Sequence, residues 1–207
     1  MLLTLAGEEA ALVEKPRDRL SRLLNIADMQ NSQGHHGSAR GTLGKAIQTL
    51  RRDGDKLDLH TRLAGWVSVS QLSRSCRDRE TAISACNEAT KVLRGIEQPA
   101  DRCPFVRGVT DQVRALHGNE RAAALLREAG PWADQIDSIP DRRVVLRAFT
   151  DYLVDCKDYD GAKAMIRRDN DPAWRSDTLA DLARQSMTYR SYGKQVNFEA
   201  TFKRQAD

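Results

Sequence analysis

The chain has 207 residues, 40% of them hydrophobic and 30% charged, which fits one globular domain or one run of repeats and excludes a disordered chain. Its 33 basic residues face 29 acidic ones, for a net charge of +4, and the two signs are interspersed rather than gathered into the concentrated patch of a dedicated nucleic-acid module. No run approaches the roughly 18 apolar residues of a membrane-spanning helix.

The pattern along the chain predicts helix throughout. Residues 3–14 read as a short amphipathic helix, and Pro16 stands where a first helical turn accepts proline. From Arg17 to about Gln33, Leu20, Leu23, Leu24 and Ala27 fall at i, i+3, i+4, i+7. Gly34-His35-His36-Gly37 breaks that helix, and a second follows with Ala39, Leu43, Ala46, Ile47 and Leu50 before the turn Asp53-Gly54-Asp55. A second hairpin is expected from about Asp58, with Leu63, Trp66, Val67 and Ser70, then Ala82, Cys86, Ala89 and Leu93. Val106, Val109, Val113 and Leu116 begin a third, which turns at Gly118-Asn119 into Ala122, Leu126 and Ala129, and Gly130-Pro131 is expected to stop that helix early. A fourth uses Val145, Ala148, Phe149, Tyr152 and Leu153, then Ala162, Met165 and Ile166. Pro172 opens a final helix with Trp174, Leu179, Leu182 and Ala183, and the periodicity is weak after Gly193. No alternating strand pattern with hairpin turn chemistry occurs.

One phrase recurs. Ala39-x3-Leu43-x2-Ala46 returns as Ala82-x3-Cys86-x2-Ala89 and Ala122-x3-Leu126-x2-Ala129, with a partial copy in Ala162-x3-Ile166. The leading alanines are 43, 40 and 40 residues apart, the scale of a helical-hairpin repeat. Each phrase sets two small residues and one larger apolar residue on one helical face, where a neighbouring helix can approach closely.

At the third hairpin, Val106, Val109, Thr110, Val113, Ala122, Leu126 and Ala129 carry the offsets of a known consensus, and the chain resembles the tetratricopeptide-like helical repeats over roughly residues 17–187. It departs from that consensus at Thr110, where Gly is usual, at Val113, where Tyr is usual, and at Asp134, where the repeat-ending proline is usual. Its period near 40 exceeds the usual 34, and a HEAT-type stack fits that period too. Leu23-x2-Ile26-Ala27-x2-Gln30-x3-Gly34-x4-Ala39 is similar to a broad bacterial class of such repeats.

The resemblance implies an all-α, right-handed α-solenoid of four to five antiparallel helical hairpins. Residues 1–16 are then an N-terminal capping helix, 17–187 the repeats and 188–207 a C-terminal cap or flexible tail. It implies recognition of a protein or peptide in a concave groove lined by the first helix of each hairpin. Carried over by offset, the groove residues are Asn25, Asp28, Ser68, Gln71, Arg107, Asp111 and Arg114.

Little else carries chemistry. Gly34-His35-His36-Gly37 holds the only histidine pair, with no carboxylate or cysteine at helical spacing to complete a metal site. Asp53-Gly54-Asp55-Lys56-Leu57-Asp58 opens like a calcium loop, but Asp58 stands where the sixth-position glycine belongs and Ala64 where the glutamate belongs. No phosphate-binding loop or nucleophile elbow occurs, and a Cys156–His117 pair has only residue type behind it. The four cysteines form no CxxC and read as reduced thiols, Cys86 in the core, which implies a cytoplasmic protein. The N-terminus lacks the basic start of a signal peptide and meets Glu8-Glu9 at once.

Arginines cluster at 17/19/22, 74/77/79, 142/143 and 167/168, which suits acidic protein segments or, as the alternative, RNA. Trp66 matches Leu23 in register and reads as core, whereas Trp132, just after Gly130-Pro131, is a candidate exposed contact. The expectation is a non-catalytic protein- or peptide-binding adaptor or subunit of a larger assembly, without cofactor or metal. A basic RNA binder is the alternative, and a small regulatory enzyme or metal protein the second.

Overall fold

A computed structural model describes residues 2–190, with side-chain placement to residue 184. The described residues are helical, without strand. In chain order the helices are α1 (Leu2–Ala11), α2 (Pro16–Ser32), α3 (His36–Arg52), α4 (Leu59–Ser75), α5 (Arg79–Arg94), α6 (Cys103–His117), α7 (Asn119–Ala133), α8 (Ile139–Asp155), α9 (Tyr159–Ile166) and α10 (Pro172–Arg190). The boundary expected between 187 and 188 thus falls inside α10, and the remainder of the expected C-terminal cap or tail, 191–207, lies outside the described residues.

The most extensive packing joins sequence neighbours, α2 with α3, α4 with α5, α6 with α7 and α8 with α9. Successive pairs then meet through α2 against α4, α4 against α6, and the contacts α3–α4, α5–α6 and α7–α8. The recurring alanines are the contact plane of this packing. Ala39, Ala46, Ala82, Ala89, Ala122, Ala129 and Ala162 are all at most 1% exposed, and Cys86, Leu43 and Leu126 between them are equally buried. Across one such contact the Ser70 hydroxyl donates to the Ala82 carbonyl at 2.9 Å, so a buried polar group is satisfied where two backbones lie close.

The four links inside these pairs share one device. Each contains a residue in the left-handed region: Gly34 (φ 79°), Arg77 (φ 60°), Gly118 (φ 88°) and Lys157 (φ 64°). Around Gly34, Arg77 and Lys157 the chain closes with paired bonds of the Schellman type, His35 N–H to Gln30 O, Asp78 N–H to Ser73 O and Asp158 N–H to Leu153 O, each at 2.8 Å. Asp78 and Asp158 then cap the next helix, accepting from Thr81 N–H and Gly161 N–H.

α1 is fastened to α2 and α3 by side chains that take up its carbonyls. Buried Gln30 donates to Leu3 O (2.9 Å) and accepts from Thr42 Oγ1 (2.8 Å), and Lys45 reaches Gly7 O. At the other end, Asp169 is 2% exposed and accepts from Arg143 Nε (2.8 Å) and Nη2 (3.1 Å).

Two local expectations are corrected. Gly130-Pro131 does not stop α7, which continues to Ala133. Proline disfavours a helical predecessor largely through that residue's Cβ, and Gly130 has none. Because the helix continues, Trp132 stays on the buried side three residues after Ala129 and is only 6% exposed, with the Arg102 guanidinium over its ring at 4.9 Å. Trp66 lies in the core as its register implies.

Ala89→Leu forces three carbon atoms into a filled helix contact and is expected to destabilise the fold by about 1–3 kcal/mol, whereas Ala124→Leu on the exposed side of α7 changes stability by under about 0.5 kcal/mol. Urea midpoints of the two variants check this. The Arg143 hydrogen bond, the largest influence on it, holds the Asp169 carboxyl below its ordinary range. A depressed carboxyl stabilises the fold fully above the unfolded value of about 4 and loses that contribution as pH falls through the lower folded value. Asp169→Asn is therefore expected to be less stable than the parent at pH 7, with the gap narrowing below about pH 4 in urea titrations run across pH.

Candidate interaction face

The first helices of successive pairs lie side by side in the order α2, α4, α6. Their inner sides go to the core through Leu20, Leu23 and Ala27, Leu63, Trp66 and Ser70, and Val106, Val109 and Val113. Their outer sides differ in character. α4 presents His60, Ala64, Ser68, Gln71 and Ser75 at helical spacing, a strip of small or neutral polar side chains at least partly open to solvent.

Between α2 and α4 this strip borders a shallow crevice of about 260 Å³. Leu20, Leu24 and Ala64 give it apolar walls, and Arg17, Ser21, His60, Thr61 and Ser68 supply its polar lining. Gly65 lies at its base, and a Cβ there would come within 2.9 Å of both Leu20 Cδ2 and Leu50 Cδ2, so the missing side chain is what lets α4 settle against α2 and α3. A second open crevice of about 480 Å³ lies between α1 and α2, lined by Ala6, Glu9, Ala10, Arg22, Asn25 and Ile26.

The structure distributes the sequence candidates over this face without gathering them into one site. Asn25 lines the α1–α2 crevice and Ser68 the α2–α4 crevice. Asp28 and Gln71 are exposed. Arg107 and Asp111 are brought together by a residue that periodicity assigned to packing: the Tyr152 hydroxyl on α8 donates to Asp111 Oδ1 at 2.6 Å and accepts from Arg107 Nε at 3.2 Å, with the Arg107 guanidinium 5.4 Å from the ring. Desolvation, with the Asp111 acceptor second, pushes the Tyr152 hydroxyl above its ordinary value, so it remains a donor at neutral pH. Arg114 is instead turned to Asn119 Oδ1 at the start of α7.

Among the described residues no group of three or more His, Cys, Asp or Glu is placed to hold a metal ion. His36 Nδ1 is bonded to Asn31 Oδ1 at 2.9 Å, and the Cys76 thiol donates to the same oxygen at 3.3 Å. His117 meets Arg121 at 3.3 Å, and its pKa is lowered first by burial and then by Arg121 and Arg79. All four cysteines are free and buried. Burial pushes Cys86 and Cys103 up to about 11 and raises Cys76 and Cys156 as well, which keeps each a neutral thiol.

No protein-family model matches the chain, and no curated protein matches it.

In the native protein at pH 8 the thiols of Cys86 and Cys103 are expected to react with an aromatic disulfide reagent about 100-fold more slowly than an ordinary cysteine, since a pKa near 11 in place of 9.0 lowers the thiolate fraction by that factor. In denaturing urea all four cysteines should titrate rapidly. A native thiol reacting at the denatured rate would mark a reactive site that burial contradicts.

Proposed function

We propose that the chain is a tetratricopeptide-like, right-handed solenoid of four to five antiparallel hairpins that binds a protein or peptide along the face of its first helices, as a non-catalytic adaptor or subunit of a larger assembly in the cytoplasm. The observation that carries this reading is the α2–α4 crevice, an apolar slot with a polar lining set within a neutral strip. Such a slot suits one apolar side chain of a partner whose backbone is held by Ser21, Thr61 and Ser68. The Arg107–Tyr152–Asp111 group adds a second, pre-arranged polar contact on the same row of helices.

Membership in an assembly draws further support from α1, where Leu2 is 80% exposed and Leu5, with Leu12 just beyond the helix, also faces solvent. The cytoplasmic assignment rests on four buried thiols, none of them in a disulfide.

Ala64 is exposed at the crevice, so Ala64→Arg blocks the slot without entering the core. Tagged parent and Ala64→Arg proteins are compared by mass spectrometry of what each retains from the native source at moderate salt. A protein held by the parent and depleted at least tenfold with the variant, at unchanged circular dichroism, is the expected result. Identical retention by both, or retention of nucleic acid alone, overturns the reading.

A further inference from the structure

Two groups of arginines differ in how their charge is met, beside others such as Arg17, Arg22, Arg51 and Arg52 that are exposed elsewhere. Arg19, Arg94, Arg127, Arg143, Arg147 and Arg168 each pair with a carboxylate of another element or connection, at 2.6–3.2 Å. Arg40, Arg74, Arg77, Arg79 and Arg121 have no carboxylate partner among the described residues. All five are exposed, and all five lie at the edge where first helices turn into second ones, around the links α2–α3, α4–α5 and α6–α7.

These links touch in sequence. The Cys76 thiol donates to Asn31 Oδ1 at 3.3 Å, so the α4–α5 link lies against the end of α2, and Arg40 from α3 is among the charges that act on that thiol. Arg79 Nη2 donates to the Leu116 carbonyl at 3.2 Å, at the end of α6, and both Arg79 and Arg121 act on His117. The three links therefore adjoin along one edge of the stack, and the five arginines lie on or next to them. The carboxylates that share it are Asp78, committed to capping α5, and Glu80 and Glu120 in the first turns of α5 and α7.

Holding cations there costs free energy in two separate ways. Arg77 occupies the left-handed region that glycine takes at the equivalent links, a conformation that strains any side-chain-bearing residue. Arg79 and Arg121 sit in the first turns of α5 and α7, where the helix dipole disfavours positive charge. Arg79 gains one hydrogen bond to the Leu116 carbonyl in return, and neither Arg77 nor Arg121 has an internal salt bridge among the described residues. A partner's negative charge would offset both costs.

We propose that this turn edge, distinct from the face of the first helices, is a docking ridge for an acidic protein segment rich in Asp and Glu. Carboxylates suit it because the exposed guanidinium groups can each take one in bidentate fashion. A nucleic-acid strand suits it less. Glu80 and Glu120, exposed on the same edge, repel a continuous phosphate backbone.

The test is fluorescence anisotropy of the intact chain with a labelled twelve-residue Asp/Glu/Ser peptide, against a labelled twelve-nucleotide uridine RNA and a Lys/Ser peptide. The acidic peptide is expected to bind, more weakly as salt rises from 50 to 200 mM, and at least tenfold more weakly to R77E/R79E. Arg77→Gly separates docking from folding: it relieves the backbone strain, so its urea midpoint should rise while its affinity for the peptide falls about threefold. R51E/R52E, the same charge change on exposed arginines away from this edge, should weaken the peptide by less than about twofold. Failure of the peptide to bind, indifference to R77E/R79E, or tighter binding of the RNA overturns the proposal.

Discussion

The close approach of helices at alanine is the constraint on which the rest depends. Wherever two second-helix alanines flank a central apolar residue, both methyl groups are buried, and at Ala82 the neighbouring helix comes close enough for Ser70 to bond its carbonyl. At that distance nothing larger fits, and even a hydroxyl must find a partner, as Ser70 does on the Ala82 carbonyl. Gly65 extends the same logic to the contact of α4 with α2 and α3, where two buried leucine methyl groups fill the space that a Cβ would need. Dispersion and apolar burial supply the attraction, and small side chains set how much of it is collected.

The phrase that marks these contacts is visible in the sequence because packing imposes it at fixed spacing, and it falls within the second helices α3, α5, α7 and α9, whereas α1, expected over 3–14, ends at Ala11. Gly130-Pro131 was misread for a local reason: the rule that proline ends a helix assumes a Cβ before it. The error carried over to Trp132, whose burial follows once α7 is allowed its last turn. A second repeat signal was present and overlooked. Cys76-Arg77-Asp78 and Cys156-Lys157-Asp158 combine a buried residue, a left-handed cation and a helix cap, three roles in three residues. It escapes notice because the equivalent links spell it differently, with glycine at the left-handed position and no aspartate after it.

The interaction face was less legible. Offsets identify which side of a helix points outward, but not which outward residues meet. Asn25 and Ser68 line separate crevices because α1 and α4 flank α2 on different sides, a matter of tertiary placement. Tyr152 joins Arg107 and Asp111 from forty-odd residues away, and nothing in its own periodicity distinguishes it from core. The arginine clusters dissolve in the same way. Arg19 leaves its cluster for Asp53, Arg143 for Asp169 and Asp171, and Arg168 for Asp134. Linear density of charge is thus a poor guide to surface charge in a stack of helices, since neighbours in sequence point to different partners.

Once the alanine plane and the core sides of the first helices are committed to packing, two kinds of surface remain with different energetic character. The outer side of the first helices is bordered by crevices whose shape follows from the packing beneath it. Its geometry is therefore fixed by the core, and substitution there acts on recognition chiefly through shape. The turn edge is the opposite case. Its backbone is set by one left-handed residue per link, a requirement that glycine meets without strain, so the side chain at Arg77 is not what the turn itself requires. Arg77 carries backbone strain there, and Arg79 and Arg121 oppose the dipoles of α5 and α7, although Arg79 also satisfies the Leu116 carbonyl at the end of α6. Exposed guanidinium groups held at such positions without a carboxylate beside them are the physical reason to look for a partner at that edge.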